Sequence, residues 1–272
     1  MVRAVTQARG PRKAGSPGLS RRDGCAITTP MNQAREIPVA TPVLDVVIPT
    51  LDAAAEIEAT LAALAAGRRG EIGARLVREI LVVDGGSVDD TVTRARRAGA
   101  RVITSPRGRG TQLAAGAEAS AAGWLLFLHA DTRLALGWAG PVAAFIQGSP
   151  EGDRVAVFTL AFDDASVHAR ALARLANWRA RHLALPYGDQ GLIISRALYD
   201  RLGGFRPLPL MEDVDLVRRV GRGRLVHLDA VAVTSADHYR HWGWWPRAAR
   251  NLALLALYYL GVPPRLLERL YN

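Results

Sequence analysis

The residues best placed to do chemistry end the run Leu125-Leu126-Phe127-Leu128-His129-Ala130-Asp131-Thr132. Apolar residues in succession read as a strand buried on both faces, as in a parallel sheet. His129 and Asp131 follow at its carboxyl end, two apart, so both side chains leave one face of an extended chain. Open α/β sheets bind their ligands at that end of the strands. A carboxylate and an imidazole there suit a divalent metal or a ribose hydroxyl; the alternative is a strand end that simply meets water. Two more acidic stretches have comparable potential. In Asp84-Gly85-Gly86-Ser87-Val88-Asp89-Asp90-Thr91 the glycines permit a tight turn and close backbone approach. Met211-Glu212-Asp213-Val214-Asp215-Leu216 opens a helix, and its acids complement the positive end of the helix dipole. Apolar residues flank them on both sides, which argues that at least one carboxylate lines a cleft. Partial burial would raise its pKa and suit it to general-base work.

These groups need a scaffold, and the chain spells one. Residues 43–48 are expected as the first buried strand, ending in Pro49-Thr50-Leu51-Asp52, with Asp52 as N-cap of a helix that carries Ile57, Leu61 and Leu64 at helical spacing. Residues 67–73 read as a loop and 79–83 as the second strand. A helix over 90–98 can start on Ser87 or Asp89. Arg101–Thr104 is a short third strand, and Pro106-Arg107-Gly108-Arg109-Gly110 leads into a helix over 111–121. This β-α-β-α-β-α-β order argues for a parallel sheet with right-handed crossovers. No G-x-G-x-x-G follows the first strand, so a dinucleotide-binding domain of the usual sort is not expected. The strand tips offer carboxylates instead, Asp52, Asp84 and Asp131, which suit ribose and base donors plus a metal rather than bare phosphate. Further on, helices are expected over 137–147, 165–182 and 196–202, with strands at Val155–Phe162 and Leu192–Ser195. Tyr187-Gly188-Asp189-Gln190-Gly191 precedes the second of these strands.

Composition narrows the chemistry. With 272 residues, 49% hydrophobic and 22% charged, the chain is globular and long enough for one large α/β domain. The net charge is +10, and half of it comes from residues 1–42, a basic leader rich in Arg, Gly, Pro, Ser and Thr that reads as disordered. Met31 is the expected true start, since everything the first strand needs follows it. The remaining charge suits anionic ligands or an anionic membrane surface. No nucleic-acid-binding signature accompanies it, so nucleic acid is not expected as a partner. The only cysteine, Cys25, and the only lysine, Lys13, both lie in the leader. Disulfides, thiol nucleophiles, cysteine-based zinc sites, Schiff bases and phosphate-binding lysines are thereby excluded from the folded part. In the tail, Trp242, Trp244 and Trp245 stand beside Arg240, Arg247 and Arg250, ahead of an apolar run over 252–262. That run is shorter than the about 20 residues a membrane span needs. Tryptophans and arginines beside an apolar stretch fit a helix lying in the membrane interface; a helix closing the core, or an oligomer contact, fits equally.

The strings Val-Val-Ile-Pro-Thr-Leu-Asp, Ile-Leu-Val-Val-Asp-Gly-Gly-Ser-Val-Asp-Asp-Thr and Leu-Phe-Leu-His-Ala-Asp-Thr resemble the family 2 glycosyltransferases of GT-A fold. Gly203-Gly204-Phe205 and Met211-Glu212-Asp213-Val214-Asp215-Leu216 continue the resemblance in order. It covers residues 43–235, and the His-Ala-Asp-Thr form is similar to one bacterial subgroup whose relatives include transferases acting on carotenoid carboxylates. The resemblance implies an α/β fold of GT-A type, a Rossmann-like, mostly parallel sheet flanked by helices, here followed by an amphipathic helical tail over 236–272. It implies an inverting sugar transferase that uses a nucleoside-diphosphate sugar, a UDP-sugar by expectation, with Mg²⁺ or Mn²⁺. By position, Pro49, Thr50 and Asp52 would hold base and ribose, and Asp84 would hydrogen-bond the base. Arg107 and Arg109 would approach the donor. Asp131 would bind the metal, with His238 near a further metal-ligand position, and Asp213 would deprotonate the acceptor, with Glu212 beside it as a second catalytic candidate. Asp189 and Gln190 are further donor-binding candidates. His129 replaces the first acid of the usual Asp-x-Asp, which leaves metal, ribose or neither as its partner. Asp52 stands where Asn is common.

With the tail, this reading leads to a hydrophobic or membrane-associated acceptor, a lipid or a carotenoid carboxylate, and to a cytoplasmic protein with peripheral contact at the inner face of the cell membrane. Two other classes compete. A nucleotidyltransferase shares sheet and metal but usually wants a glycine-rich signature with a lysine near the first strand, and neither is present. Against a catalytically silent nucleotide-sugar sensor stands the retention of Asp84, Asp131 and Asp213 together.

Overall fold

Residues 43–271 are described by a computed structural model, so the basic leader and Met31 lie outside the described residues. The first strand, β1 (Leu44–Thr50), is buried along its whole length, as its apolar run demands. It lies between β2 (Val77–Asp84) and β4 (Trp124–Phe127), both parallel to it, and β3 (Arg101–Thr104) extends the parallel set beyond β2. Past β4 the sheet turns mixed. β7 (Leu192–Ser195) runs antiparallel to β4 and to β6 (Val155–Phe162), which pairs in parallel with β8 (Leu225–Thr234). β5 (Thr132–Leu134) closes the edge, antiparallel to β8. The strand order is β3-β2-β1-β4-β7-β6-β8-β5.

Helices cover both faces of this parallel-dominated sheet. They are α1 (Ile57–Arg68), α2 (Glu71–Leu76), α3 (Thr91–Arg97), α4 (Arg109–Ala119), α5 (Ala139–Gln147) and α6 (Val167–Leu183), then α7 (Arg196–Arg201) and α8 (Glu212–Val220). A C-terminal trio follows: α9 (Asp237–Trp242), α10 (Trp244–Tyr259) and α11 (Pro264–Tyr271). Because side chains alternate along β1, Val46 and Ile48 join one core layer with Trp138, while Val47 joins the other with Leu113 and Phe127. Ile57, Leu61 and Leu64 are buried on α1, as their spacing predicts.

Two local expectations fail for reasons that lie far along the chain. Residues 67–73 are mostly helical, because Gly67 and Gly73 act as close-packing positions. A Cβ on Gly73 would overlap the carbonyl of Gly67, and one on Gly67 would overlap the Trp138 indole. Asp52 does not cap α1, which starts at Ile57 with Glu56 before it. Its backbone takes a left-handed φ of 48°, a conformation Asp tolerates better than most residues. Its carboxylate accepts the Val88 N–H at 2.8 Å and so ties the β1 tip to the loop after β2.

The element that aims the site is α4. Gly116 allows its backbone to close on the sheet, where a Cβ would overlap Val47 and Val83. One turn earlier, the buried Gln112 amide donates to the carbonyls of Thr50 (2.7 Å) and Val83 (2.8 Å). Gly116→Ala should therefore destabilise the protein by about 1–3 kcal/mol, read as a lower urea midpoint at unchanged m-value. An unchanged midpoint would show that α4 has room to move.

Candidate active site

The β1–β4 boundary is a topological switch point, since the chain steps from β1 outward through β2 to β3 and then crosses back to β4 on the other side of β1, which opens a crevice at the carboxyl ends. Two confluent chambers fill it. One is walled by Pro49, Thr50, Asp52, Glu56, Arg107 and Gln112. The other is walled by Phe162, Tyr187, Asp189, Asp213, Tyr239 and Arg247. Arg109, His129, Asp131, His238 and Tyr271 face both.

The loop that carries His129 and Asp131 is pinned from three sides. Thr60 Oγ1 on α1 donates to the Ala130 carbonyl at 2.6 Å, Ser235 N–H donates to the Asp131 carbonyl at 3.1 Å, and the Thr132 and Thr234 hydroxyls meet at 3.3 Å. Asp131 is thus aimed by β5 and β8, strands with little signal in the local sequence. Burial, and then the charge of Arg109, push the His129 imidazole down to about 3, so it is neutral at pH 7. Its ring packs on Gly188, where a Cβ would collide with it.

Gly188–Gln190 forms a single 3₁₀ turn between His129 and α8. The Gly188 N–H donates to Asp213 Oδ2 at 2.7 Å, and the Val214 N–H donates to Asp213 Oδ1 at 2.7 Å. The acids at the start of α8 divide the work between them. Asp215 pairs with Arg206 and Arg219 and is structural. Asp213 faces the cleft. Glu212 is 1% exposed, 3.6 Å from Arg109 Nε, and its Oε1 has no hydrogen-bond partner among the described residues. Burial raises the Glu212 carboxyl, Arg109 opposes the rise, and Asp213 adds to it. Burial likewise pushes Asp189 up to about 6, opposed by Arg179 and helped by Asp213 and Asp131.

Asp131, Asp213, Glu212, Asp189, His129, His238 and Arg109 therefore come together, with Pro49, Thr50, Asp52 and Arg107 on the adjoining wall. Two expected donor ligands stand elsewhere. Asp84 is 3% exposed, and its carboxylate is taken up by the N–H groups of Gly86 and Ser87 and by the Ser87 hydroxyl, with Thr50 Oγ1 at 3.5 Å. With its lone pairs so occupied it shapes the loop behind Thr50 and lines neither chamber. Gln190 is fully buried and donates to the Phe158 carbonyl and to Asn177, turned away from the cleft. Glu56, Arg247, Asn251 and Tyr271 also line the cleft, and no local motif marks them as site residues. Periodicity places Arg247 and Asn251 on one helix face, yet nothing local says which face turns inward. Among the described residues no three His, Cys, Asp or Glu side chains are grouped to cage a metal ion.

The model of the family described as Glycosyl transferase family 2 matches residues 45–202. No curated protein matches the chain. Among solved structures, the chain is similar to glucosyl-3-phosphoglycerate synthase from Mycobacterium tuberculosis in complex with Mn²⁺, UDP-glucose and phosphoglyceric acid. Identity is 23%, covering 72% of this chain and 71% of that one, with a TM-score of 0.50. The same enzyme with Mn²⁺, UDP and glucosyl-3-phosphoglycerate gives 23% identity over the same shares and a TM-score of 0.49. The likeness is one of fold.

The buried acid predicts a pH dependence. Glu212 holds its proton in the folded protein above its ordinary value of 4.5, so stability is lost as pH rises through the folded value. Against Glu212→Gln, the wild type should lose more than about 1 kcal/mol between about pH 5 and pH 8. His129 slopes the other way, gaining stability between about 3 and its ordinary 6.5, but it is common to both proteins and cancels in the difference. Parallel denaturation curves across that range would show that Glu212 is not perturbed.

Proposed function

The chain belongs to the family 2 glycosyltransferases, and on that premise we propose an inverting, metal-dependent hexosyl transfer from a nucleoside-diphosphate sugar to a hydrophobic or membrane-associated acceptor. The observation that carries this reading is the convergence of Asp131, Asp213 and Arg109 on one chamber that opens into the chamber lined by Pro49, Thr50 and Asp52. A UDP-sugar is the donor proposed, the class held by the mycobacterial synthase of similar fold.

The donor set fits Mg²⁺ or Mn²⁺. Asp131 offers a carboxylate and His238 an exposed imidazole on the wall they share, and such cations commonly take one or two protein ligands and complete their shell with phosphate and water. When bound, the cation supplies Lewis-acid neutralisation of the diphosphate charge. Arg109, at the first turn of α4, adds a guanidinium and the positive helix end to the same task. Glu212 orients that guanidinium from its buried position. Asp213, steadied by the Gly188 and Val214 N–H groups, takes the proton of the acceptor hydroxyl as the hydroxyl attacks the anomeric carbon and the bond from that carbon to the diphosphate breaks, releasing the nucleoside diphosphate. Neutral His129 keeps the Gly188 turn in place behind it.

The acceptor half of the reading rests on apolar surface. Trp242 (62% exposed), Trp245, Leu252 and Leu260 (81% exposed) stand in water on the C-terminal helices, near Arg240 and Arg250. Among the described residues no helix is long and apolar enough to cross a membrane, so the contact proposed is peripheral.

Two measurements test these statements. With UDP-, GDP- and dTDP-sugars and Mn²⁺, the wild type should turn over one donor class, and Asp213→Asn should cut transfer to a hydroxyl acceptor by about 100-fold or more while sparing nucleotide binding. Full activity in Asp213→Asn would remove it as the base. In liposome flotation with anionic vesicles, the wild type should float and the Trp242→Ser, Trp245→Ser, Leu260→Ser triple variant should remain at the bottom. Equal partitioning would refute membrane contact. Substitution is the cleaner route, because deleting the tail would also remove Arg247 and Tyr271 from the cleft.

A further inference from the structure

We infer that Arg247 and Asn251 on α10 form an anchor for an oxyanion on the acceptor, a carboxylate or a phosphate, with a hydroxyl beside it. The inference rests on the transferase reading for the word acceptor, and on its own observations for the anchor.

Arg247 is 9% exposed, yet among the described residues it has no carboxylate within ion-pair distance. Its Nη2 donates to the Tyr271 hydroxyl at 3.0 Å, and its guanidinium lies 5.6 Å from the ring centroids of both Tyr239 and Tyr271. Aromatic faces stabilise the charge, but they leave most of the five N–H donors without acceptors. An isolated buried charge is costly, and the planar fork matches an oxyanion that offers two oxygens. Asn251 lies one helical turn further along the same face, and its Oδ1 is buried with no donor among the described residues. A hydroxyl next to the oxyanion would supply that donor.

The location selects acceptor over donor. Arg247 and Asn251 line the chamber of Asp213, Phe162 and Tyr239 and are absent from the wall formed by Pro49, Asp52 and Arg107. The carboxylates of the chamber, Asp131, Asp189, Glu212 and Asp213, come from the β4–β5 loop, the 3₁₀ turn and α8, where Arg109 and Arg179 face them. An oxyanion is thus favoured at α10 and repelled at α8. A bound acceptor would be polarised, its anionic end on Arg247 and its reactive hydroxyl toward Asp213. Leu254, buried on the next turn of α10, offers apolar contact to the acceptor body.

The test uses the full chain and four probes, octanoate, 2-hydroxyoctanoate, octyl phosphate and octan-1-ol, with binding read by ligand-observed NMR. At least one anion should bind about tenfold more tightly than octan-1-ol, as a charge-assisted bidentate contact implies. The ratio of octanoate to octyl phosphate tells carboxylate from phosphate. Arg247→Met should reduce the anions to the level of octan-1-ol, and Asn251→Leu should erase the advantage of 2-hydroxyoctanoate over octanoate. Should Arg247→Met fail to fold, Asn251→Asp keeps the Arg247–Tyr271 bond and sets a negative charge one turn away; it should abolish the preference for anions. Equal binding of octan-1-ol and the anions, or a preference that survives these variants, overturns the anchor. Calorimetry with UDP and Mn²⁺ separates the two claims. Loss of nucleotide binding in Arg247→Met would assign the arginine to the donor and overturn the inference. Absence of nucleotide binding in the wild type, with the anion preference intact, would sink the transferase reading alone.

Discussion

Two hydrogen bonds from one buried amide hold the working edge of this protein together. Each buried carbonyl at the strand ends has two lone pairs to satisfy, and one left without a donor costs about 1–3 kcal/mol. From inside α4, Gln112 adds a donor to two of these carbonyls, that of Thr50, which also accepts the Gly85 N–H at 2.9 Å, and that of Val83. The contact is possible because Gly116, four residues on, lets the helix close against Val47 and Val83. With α4 held there, its first residue, Arg109, projects between the two chambers, and the positive end of the helix faces the space where a charged donor would lie.

A second buried amide does the same for the opposite wall. Gln190 is tied to the Phe158 carbonyl and to Asn177, which itself brackets Leu160 through N–H and carbonyl at 2.8 and 2.9 Å. The turn so anchored presents the Gly188 N–H to Asp213 and its bare backbone to His129. The same turn therefore orders Asp213 and packs against His129, whose neutrality follows from burial and then from the charge of Arg109. The neighbouring acids follow from this crowding. Glu212 and Asp189 are raised by burial first, with the charges around them adjusting the result.

The C-terminal helices complete the cleft. Tyr239 stacks on Trp244, Phe162 meets both rings edge-on, and Arg247 and Arg250 lie over Tyr271. This ladder draws α10 and α11 back over the strand ends, so that the tail presents its exposed tryptophans on one side and Arg247, Asn251 and Tyr271 to the chamber on the other. The proposed surface contact and the proposed acceptor anchor thus fall on the same short segment.

Much of this was legible in residue order. The apolar runs of β1, β2 and β4, the crossover pattern and the helical spacing on α1 depend on local periodicity, and burial on both faces of a parallel sheet writes that periodicity directly. The acids at the β4 tip and at the start of α8 were visible for the same reason, since strand ends and helix starts are sequence features. What the residues could not say alone is where a carboxylate spends its lone pairs. Asp84 and Asp52 look alike as strand-tip acids, yet Asp84 is consumed by the loop over 85–88 and Asp52 gives it one oxygen only, while Asp131 is left facing the cleft because β5 and β8 hold its backbone from outside. Gln190 lies beside Asp189 in sequence and points the opposite way. Arg247 became part of the site only when α10 folded back across residues far away in the chain. Local sequence determined the parallel strands, most of the helices and the chemical groups they carry; long-range packing decided the rest, β5 and β8 included, and which of those groups keep a free valence toward the cleft, because hydrogen-bond partners and buried neighbours are assigned by contacts that no short stretch of sequence contains.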